Sequence, residues 1–144
     1  MNRHQNNLKL HKVNASKANA TLLFNETDKA YIDVTNNLTF LNDNSFIWTS
    51  EKDGFNHIYH YNFNGKLINQ VTKGNWEVTQ YYGFNENKNT IYYQSVENGS
   101  TNRGVYAIGI DGKKKKLLSN KDGQNTAAFS KNLNYFINTF SSAE

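Results

Sequence analysis

Three stretches of this sequence repeat one form at nearly constant spacing. They are LNDNSFIW at Leu41–Trp48, FNENKNTIYY at Phe84–Tyr93 and FSKNLNYFIN at Phe129–Asn138. Each runs from an apolar residue through a polar, Asn-rich turn into an aromatic-rich strand. Their starts lie 43 and 45 residues apart. Two Gly turns, NFNGK and GIDGK, echo the same period about 47 residues apart. A repeat of about 40–50 residues built from four short strands is a β-propeller blade.

The runs between turns fit strands and not helices. Leu8–Asn14 alternates Leu, Leu and Val with polar residues, and Thr21–Phe24 follows it. Tyr31–Val34 is expected as a short return strand, then Leu38–Leu41. Phe46–Thr49, His57–Asn62 and Leu67–Thr72 complete one blade with turns at Asp53-Gly54 and Asn64-Gly65, where Gly supplies positive φ. Val78–Phe84, Thr90–Ser95, Val105–Ile110 and Lys116–Leu118 make the next. Two further strands are expected in TAAFSKNLNYFINTF. No long segment carries helical periodicity. The expected class is all-β, with four-stranded antiparallel blades forming an arc of a propeller. The end of one blade occupies about 1–37, a blade 38–73, a second 74–120, and the start of another 121–144. Four to eight blades close a ring, so 144 residues fall short of one.

Composition narrows the chemistry. There is no Cys and no Pro, which excludes disulfides and thiolate metal sites. The formal charge of +4 is scattered apart from Lys113–Lys116, and gives no nucleic-acid footprint. That run follows a DG turn and reads as solvated hairpin lysines. No stretch approaches the roughly 18 apolar residues of a membrane span, and MNRHQNNLKL lacks the apolar core of a signal peptide. The opening reads as if already inside a strand, as in a piece of something longer. No G-x-S-x-G nucleophile elbow occurs; Gly99-Ser100 comes nearest and does not fit. His57 and His60 are three apart, so on a strand they point to opposite faces and cannot share a metal. Catalytic residues, metal ligands and cofactors are therefore all expected to be absent. Trp48 reads as core and Trp76 as a wedge between blades. Tyr81-Tyr82 and Tyr92-Tyr93 are each expected to pack one ring between blades and leave the other more exposed. The sequons at Asn14, Asn19, Asn25, Asn37 and Asn98 fit chance in so Asn-rich a chain.

Specific phrases then point to a family. FIWTSEKDG at Phe46–Gly54, NGKL at Asn64–Leu67 and GNWEV at Gly74–Val78 resemble recurring phrases of the dipeptidyl peptidase IV family of the prolyl oligopeptidase clan. LTFLNDNS precedes them, and GVYAIGIDGKKKKLLS and AAFSKNLNYFINTFSS follow in the family's order. The likeness covers nearly the whole chain and is bacterial in character. It implies the N-terminal propeller of a parent serine exopeptidase that releases N-terminal X-Pro or X-Ala dipeptides. The family's Ser, Asp and His belong to an α/β-hydrolase domain, and its paired amine-binding glutamates to an upstream segment; neither is in this chain. DKAYIDV at Asp28–Val34 resembles the strand leading into the first phrase, which in the family can overhang the substrate cleft. Tyr31 and Asp33 are thus the candidate rim residues. The resemblance further implies a periplasmic or extracellular parent. Peptide substrate, the missing blades and the hydrolase domain would be its partners. Self-association of the isolated chain is expected. The competing reading is a stand-alone binding module for carbohydrate or protein. A complete enzyme is a weaker third, lacking any convergent nucleophile, base or metal set. A downstream G-x-S-x-G region in the gene would favour the first; a natural stop after Glu144 would favour the second.

Overall fold

The computed structural model describes residues 3–29, 31–33 and 35–142. Twelve strands follow in order: β1 (Asn7–Val13), β2 (Ala20–Thr27), β3 (Thr39–Phe40), β4 (Phe46–Ser50), β5 (His57–Tyr61), β6 (Leu67–Gln70), β7 (Val78–Asn85), β8 (Thr90–Ser95), β9 (Gly104–Gly109), β10 (Lys116–Leu117), β11 (Gln124–Phe129) and β12 (Phe136–Ser141). They form two four-stranded sheets, β3-β4-β5-β6 and β7-β8-β9-β10, flanked by the two-stranded sheets β1-β2 and β11-β12. Every strand pair is antiparallel. This is the expected sequence of blades, all-β and without a helix among the described residues. Nothing described can therefore cross a membrane as a helix.

Strand alternation divides the core in two. In β4 and β5, Phe46 pairs with Tyr61 and Trp48 with Tyr59, and these four rings meet Leu8, Leu10, Leu23 and Phe24 of β1 and β2. Phe24 stacks on Tyr61 at 4.8 Å and on Phe46 at 6.3 Å. The intervening Ile47 and Ile58 face the other way, into a cluster with Val71, Val78, Ile91, Tyr93, Tyr106, Ile108 and Ile110. One sheet therefore seats two neighbours, one on each face, as a propeller blade must. Hydrogen bonds tie the layers: Tyr81 Oη donates to Thr39 Oγ1 at 2.9 Å, and the Ala127 N–H donates to Tyr82 Oη at 3.0 Å.

Four expectations need correction. Tyr31–Asp33 is irregular and not a return strand; among the described residues its backbone is held instead by a single long-range bond, Ile32 N–H to the Gln5 carbonyl at 2.8 Å; Val34 lies outside the described residues. The run at Thr21–Phe24 extends over Ala20–Thr27, since β1 supplies a partner along that whole length. Neither Tyr92 nor Tyr93 is left exposed: Tyr92 meets Phe129 at 4.9 Å while Tyr93 stacks on Trp76 at 6.4 Å and Tyr106 at 5.4 Å. With sheets on both sides, both faces of β8 are interior. Finally, Lys115 is not simply solvated. It pairs with Glu97 and lies over the Trp76 ring.

Candidate functional site

The chain leaves β2, crosses to the next sheet through residues 28–38 and enters β3. Side chains fasten this crossing to β4. Asn37 Nδ2 donates to Thr49 Oγ1 at 3.1 Å, and Thr49 Oγ1 donates to Thr35 Oγ1 at 3.0 Å. The Asp28 N–H donates to the Asn6 carbonyl at 3.1 Å. Under the crossing lies a cavity of about 140 Å³. Tyr31 and Asp33, the two residues singled out in the sequence, both line it. Tyr31 is 50 % exposed, at the rim.

Sequence reasoning missed most of the wall. Glu26, Asp28 and Glu51 bring carboxylates to it, and Trp48, Thr49, Ser50, Lys52 and Asn56 are among the other residues of its floor and sides. No linear spacing links β2, the crossing and the β4–β5 turn, so only the fold could assemble them. Trp48 packs in the core as expected, yet the same ring closes the cavity.

The charges constrain one another. Burial pushes the Glu26 carboxyl above its ordinary value; the Ser50 hydroxyl, the Lys52 ammonium and the Trp48 indole pull it back in part. Glu51 is raised by burial and then by the negative charges of Asp33, Glu77 and Asp28. Burial also lowers Lys52, against the pull of Glu26 and Asp53. The ammonium is already engaged: it donates to Tyr61 Oη at 2.7 Å and sits 4.0 Å from the centre of the Tyr59 ring. Both phenols are pushed well above the usual tyrosine range, chiefly by burial.

A second cluster contains a serine, a histidine and an aspartate, in the wrong order for nucleophilic catalysis. Ser45 Oγ donates to Asp43 Oδ1 at 2.5 Å, and His60 Nε2 lies 2.9 Å from Ser45 Oγ. A triad needs the imidazole between the hydroxyl and the carboxylate. Here the hydroxyl is in the middle, its proton spent on Asp43, and Ser45 is buried in the β3–β4 turn. The trio locks a turn. His57 is separate: its ring meets Thr72 Oγ1 at 3.1 Å and the Gly74 carbonyl at 3.0 Å. Among the described residues no three His, Asp, Glu or Cys side chains are placed to hold a metal.

A larger cavity, about 740 Å³, opens beside β1 between Leu10, Val13, Leu23, Leu38, Phe40 and Phe63. Polar side chains such as Lys12, Asn14 and Lys17 share its walls, and the sheet beside it has two strands where its neighbours have four.

The family model described as "Dipeptidyl peptidase IV (DPP IV) N-terminal region" matches residues 1–144, the whole chain. The chain belongs to this family. Among solved structures, dipeptidyl peptidase 4 of Porphyromonas gingivalis superposes with a TM-score of 0.87 at 40% sequence identity, over 99% of this chain and 20% of that one. A putative dipeptidyl aminopeptidase IV of Bacteroides ovatus gives a TM-score of 0.81 at 26% identity, over 98% of this chain and 23% of that one. Dipeptidyl peptidase 4 of Trichophyton rubrum is 34% identical over 94 residues, 64% of this chain but 12% of the relative. The chain thus spans about an eighth of the length of the curated relatives it matches, and corresponds to an arc of the N-terminal propeller region.

Proposed function

We propose that this chain is a non-catalytic propeller segment of a longer serine-type dipeptidyl peptidase, and that its parent releases X-Pro or X-Ala dipeptides from peptide N-termini. The reading is carried by the end-to-end match to the DPP IV N-terminal region. Within the parent, the arc would help enclose the chamber that admits substrates by size. The crossing that bears Tyr31 and Asp33 would form part of the rim of the substrate cleft. The parent's hydrolase domain would supply the nucleophile, and the remaining blades would complete the ring. Export to the periplasm or the exterior follows from the same family reading.

Two preparations test this. The purified 144-residue chain should leave Gly-Pro p-nitroanilide intact, and the full-length protein that carries it should hydrolyse it and lose that activity to a serine-directed phosphonate. Hydrolysis that scales with the pure 144-residue chain would overturn the reading. So would a full-length protein inert toward both Gly-Pro and Gly-Ala substrates.

A further inference from the structure

Two Asn-Gly steps stand in exposed turns, Asn64-Gly65 between β5 and β6 and Asn98-Gly99 between β8 and β9. In such a step the backbone nitrogen of the Gly can reach the side-chain amide carbon of the Asn, because Gly has no Cβ to shield it. The two turns engage that nitrogen alike. The Gly65 N–H donates to the Asn62 carbonyl at 3.0 Å, and the Gly99 N–H donates to the Val96 carbonyl at 3.0 Å.

The side chains differ. Asn98 Nδ2 donates to Tyr106 Oη at 2.8 Å, and Tyr106 is buried, so this amide is anchored to the core. The Asn98 backbone carbonyl is held as well, by Asn102 Nδ2 at 3.1 Å. Asn64 is exposed, and its side-chain amide has no hydrogen-bond partner among the described residues. Charge separates the two turns further. Lys12 Nζ donates to the Phe63 carbonyl at 3.5 Å, and Lys66 follows the Gly65 step. Asn98 follows Glu97, whose carboxylate pairs with Lys115. Nearby cations favour both an attacking amide anion and a carboxylate product, and a neighbouring carboxylate opposes both.

We propose that Asn64 is a site of spontaneous conversion to isoaspartate, and that Asn98 is protected from it. The Gly65 nitrogen attacks Asn64 Cγ, forms the N–Cγ bond and gives its proton to solvent. The Cγ–Nδ2 bond breaks and ammonia leaves. Water then opens the cyclic imide. Opening at Cγ yields aspartate; opening at the backbone carbonyl yields isoaspartate, whose main chain runs through Cγ. Water is consumed and ammonia released, with no oxidation or reduction. The isoaspartyl link lengthens the main chain by a methylene next to Gly65. That residue lies so close to Leu23 of β2 that a Cβ on it would collide with the Leu23 carbonyl. The lengthened turn must abandon this contact or push β2 away, so conversion loosens the seat of β1 and β2 on the neighbouring sheet.

The test ages the 144-residue chain at pH 8, folded and in urea. Trypsin releases Asn64 within Asp53–Lys66 and Asn98 within Asn89–Arg103, and fragmentation mass spectrometry places the converted residue. In the folded chain Asn64 should convert about fivefold faster than Asn98, the scale of one hydrogen bond. In urea the two rates should converge. Tyr106→Phe, which removes only the hydroxyl, should speed Asn98 and leave Asn64 unchanged. Ageing should lower the urea midpoint of the parent but not that of Asn64→Gln, whose longer side chain closes the imide ring far more slowly. Equal rates in the folded chain, or a faster Asn98, overturn the assignment. A difference that persists in urea overturns it too, because the cause then lies in the neighbouring sequence and not in the fold. An Asn98 rate unmoved by Tyr106→Phe overturns the protection, and a midpoint unmoved by conversion overturns the effect on β2.

Discussion

Gly54 and Gly65 occupy equivalent Asx-Gly turns, with φ of 99° and 80°, but their surroundings differ. A Cβ on Gly54 would meet nothing within 4 Å. On Gly65 it would stand 2.5 Å from the Leu23 carbonyl oxygen and 2.7 Å from that carbonyl carbon, which are backbone atoms and cannot rotate away. Gly54→Ala should therefore cost about 1 kcal/mol from positive φ alone. Gly65→Ala should cost about 2–3 kcal/mol, because β2 must also shift. Urea midpoints of the two variants decide this, and equal losses would rule out the close approach. The positive φ was legible in the dipeptides. The approach to Leu23 was not, because it joins residues 42 positions apart.

Glu26 yields a second residue-scale prediction. Its folded carboxyl is raised above the ordinary value of 4.5, with burial as the leading cause. The folded state therefore binds this proton more tightly than the unfolded state does. Its favourable contribution is fully present below 4.5 and is lost as pH rises through the higher folded value. Glu26→Gln, which keeps the shape and cannot ionise, should be more stable than the parent at pH 7. That advantage should shrink as pH falls to 4. Urea unfolding at both values measures it; a constant difference would show that Glu26 is not the titrating group.

At the scale of elements, the passage from one sheet to the next depends on Trp76. It follows β6 and precedes β7, stacking on Tyr93 with planes 9° apart and meeting His57 edge-on at 4.9 Å. The Gly74 carbonyl can only accept, so a neutral His57 carries its proton on Nε2 and its Nδ1 accepts from the Thr72 hydroxyl, whose oxygen also accepts the Ile58 N–H at 2.9 Å. His57 Nε2–H then donates to the Gly74 carbonyl. The crossing is held from both ends, and the Trp fills the gap. Trp76→Ala should cost about 2–4 kcal/mol, below the range for a fully buried Trp because the ring is half-buried. Calorimetric melting would check this, and a loss under 1 kcal/mol would mean the sheets hold without the wedge. The wedge was legible in GNWEV, since a large ring just before an apolar strand has no other dry place to go. The pairing of Tyr92 with Phe129 was harder to see. Alternation assigns faces but does not say that both faces are covered. The wall of the smaller cavity was harder still, for Glu26 and Glu51 are ordinary exposed-looking acids until β2 is laid against β4.

At the scale of the whole molecule, the two outer sheets differ from the inner ones in what they leave bare. On one flank Val13 and Phe40 are exposed beside the larger cavity. On the other, β12 carries Tyr135 just before it and Ile137 and Phe140 within it, the first two at 78 % and 74 % exposure. Among the described residues β12 pairs on one side only, with β11, and its other edge offers N–H and C=O groups for pairing. Contiguous apolar patches of several hundred Å² are unusual on monomers. Covering about 500 Å² at roughly 25 cal/mol per Å² yields on the order of 12 kcal/mol. The loss of translational and rotational freedom opposes this with about 4–15 kcal/mol. The difference runs from about 8 kcal/mol in favour of a dimer to a small net cost, so a dimer is micromolar at its tightest. Light scattering of the 144-residue chain should therefore show mass rising toward twice the monomer between about 10 and 500 μM, a span set by that balance. The dimer should weaken when Ile137 is replaced by Lys, since a charge at the centre of the bare β12 face must stay hydrated. A constant monomer mass up to the highest concentration would show that these flanks do not bind one another.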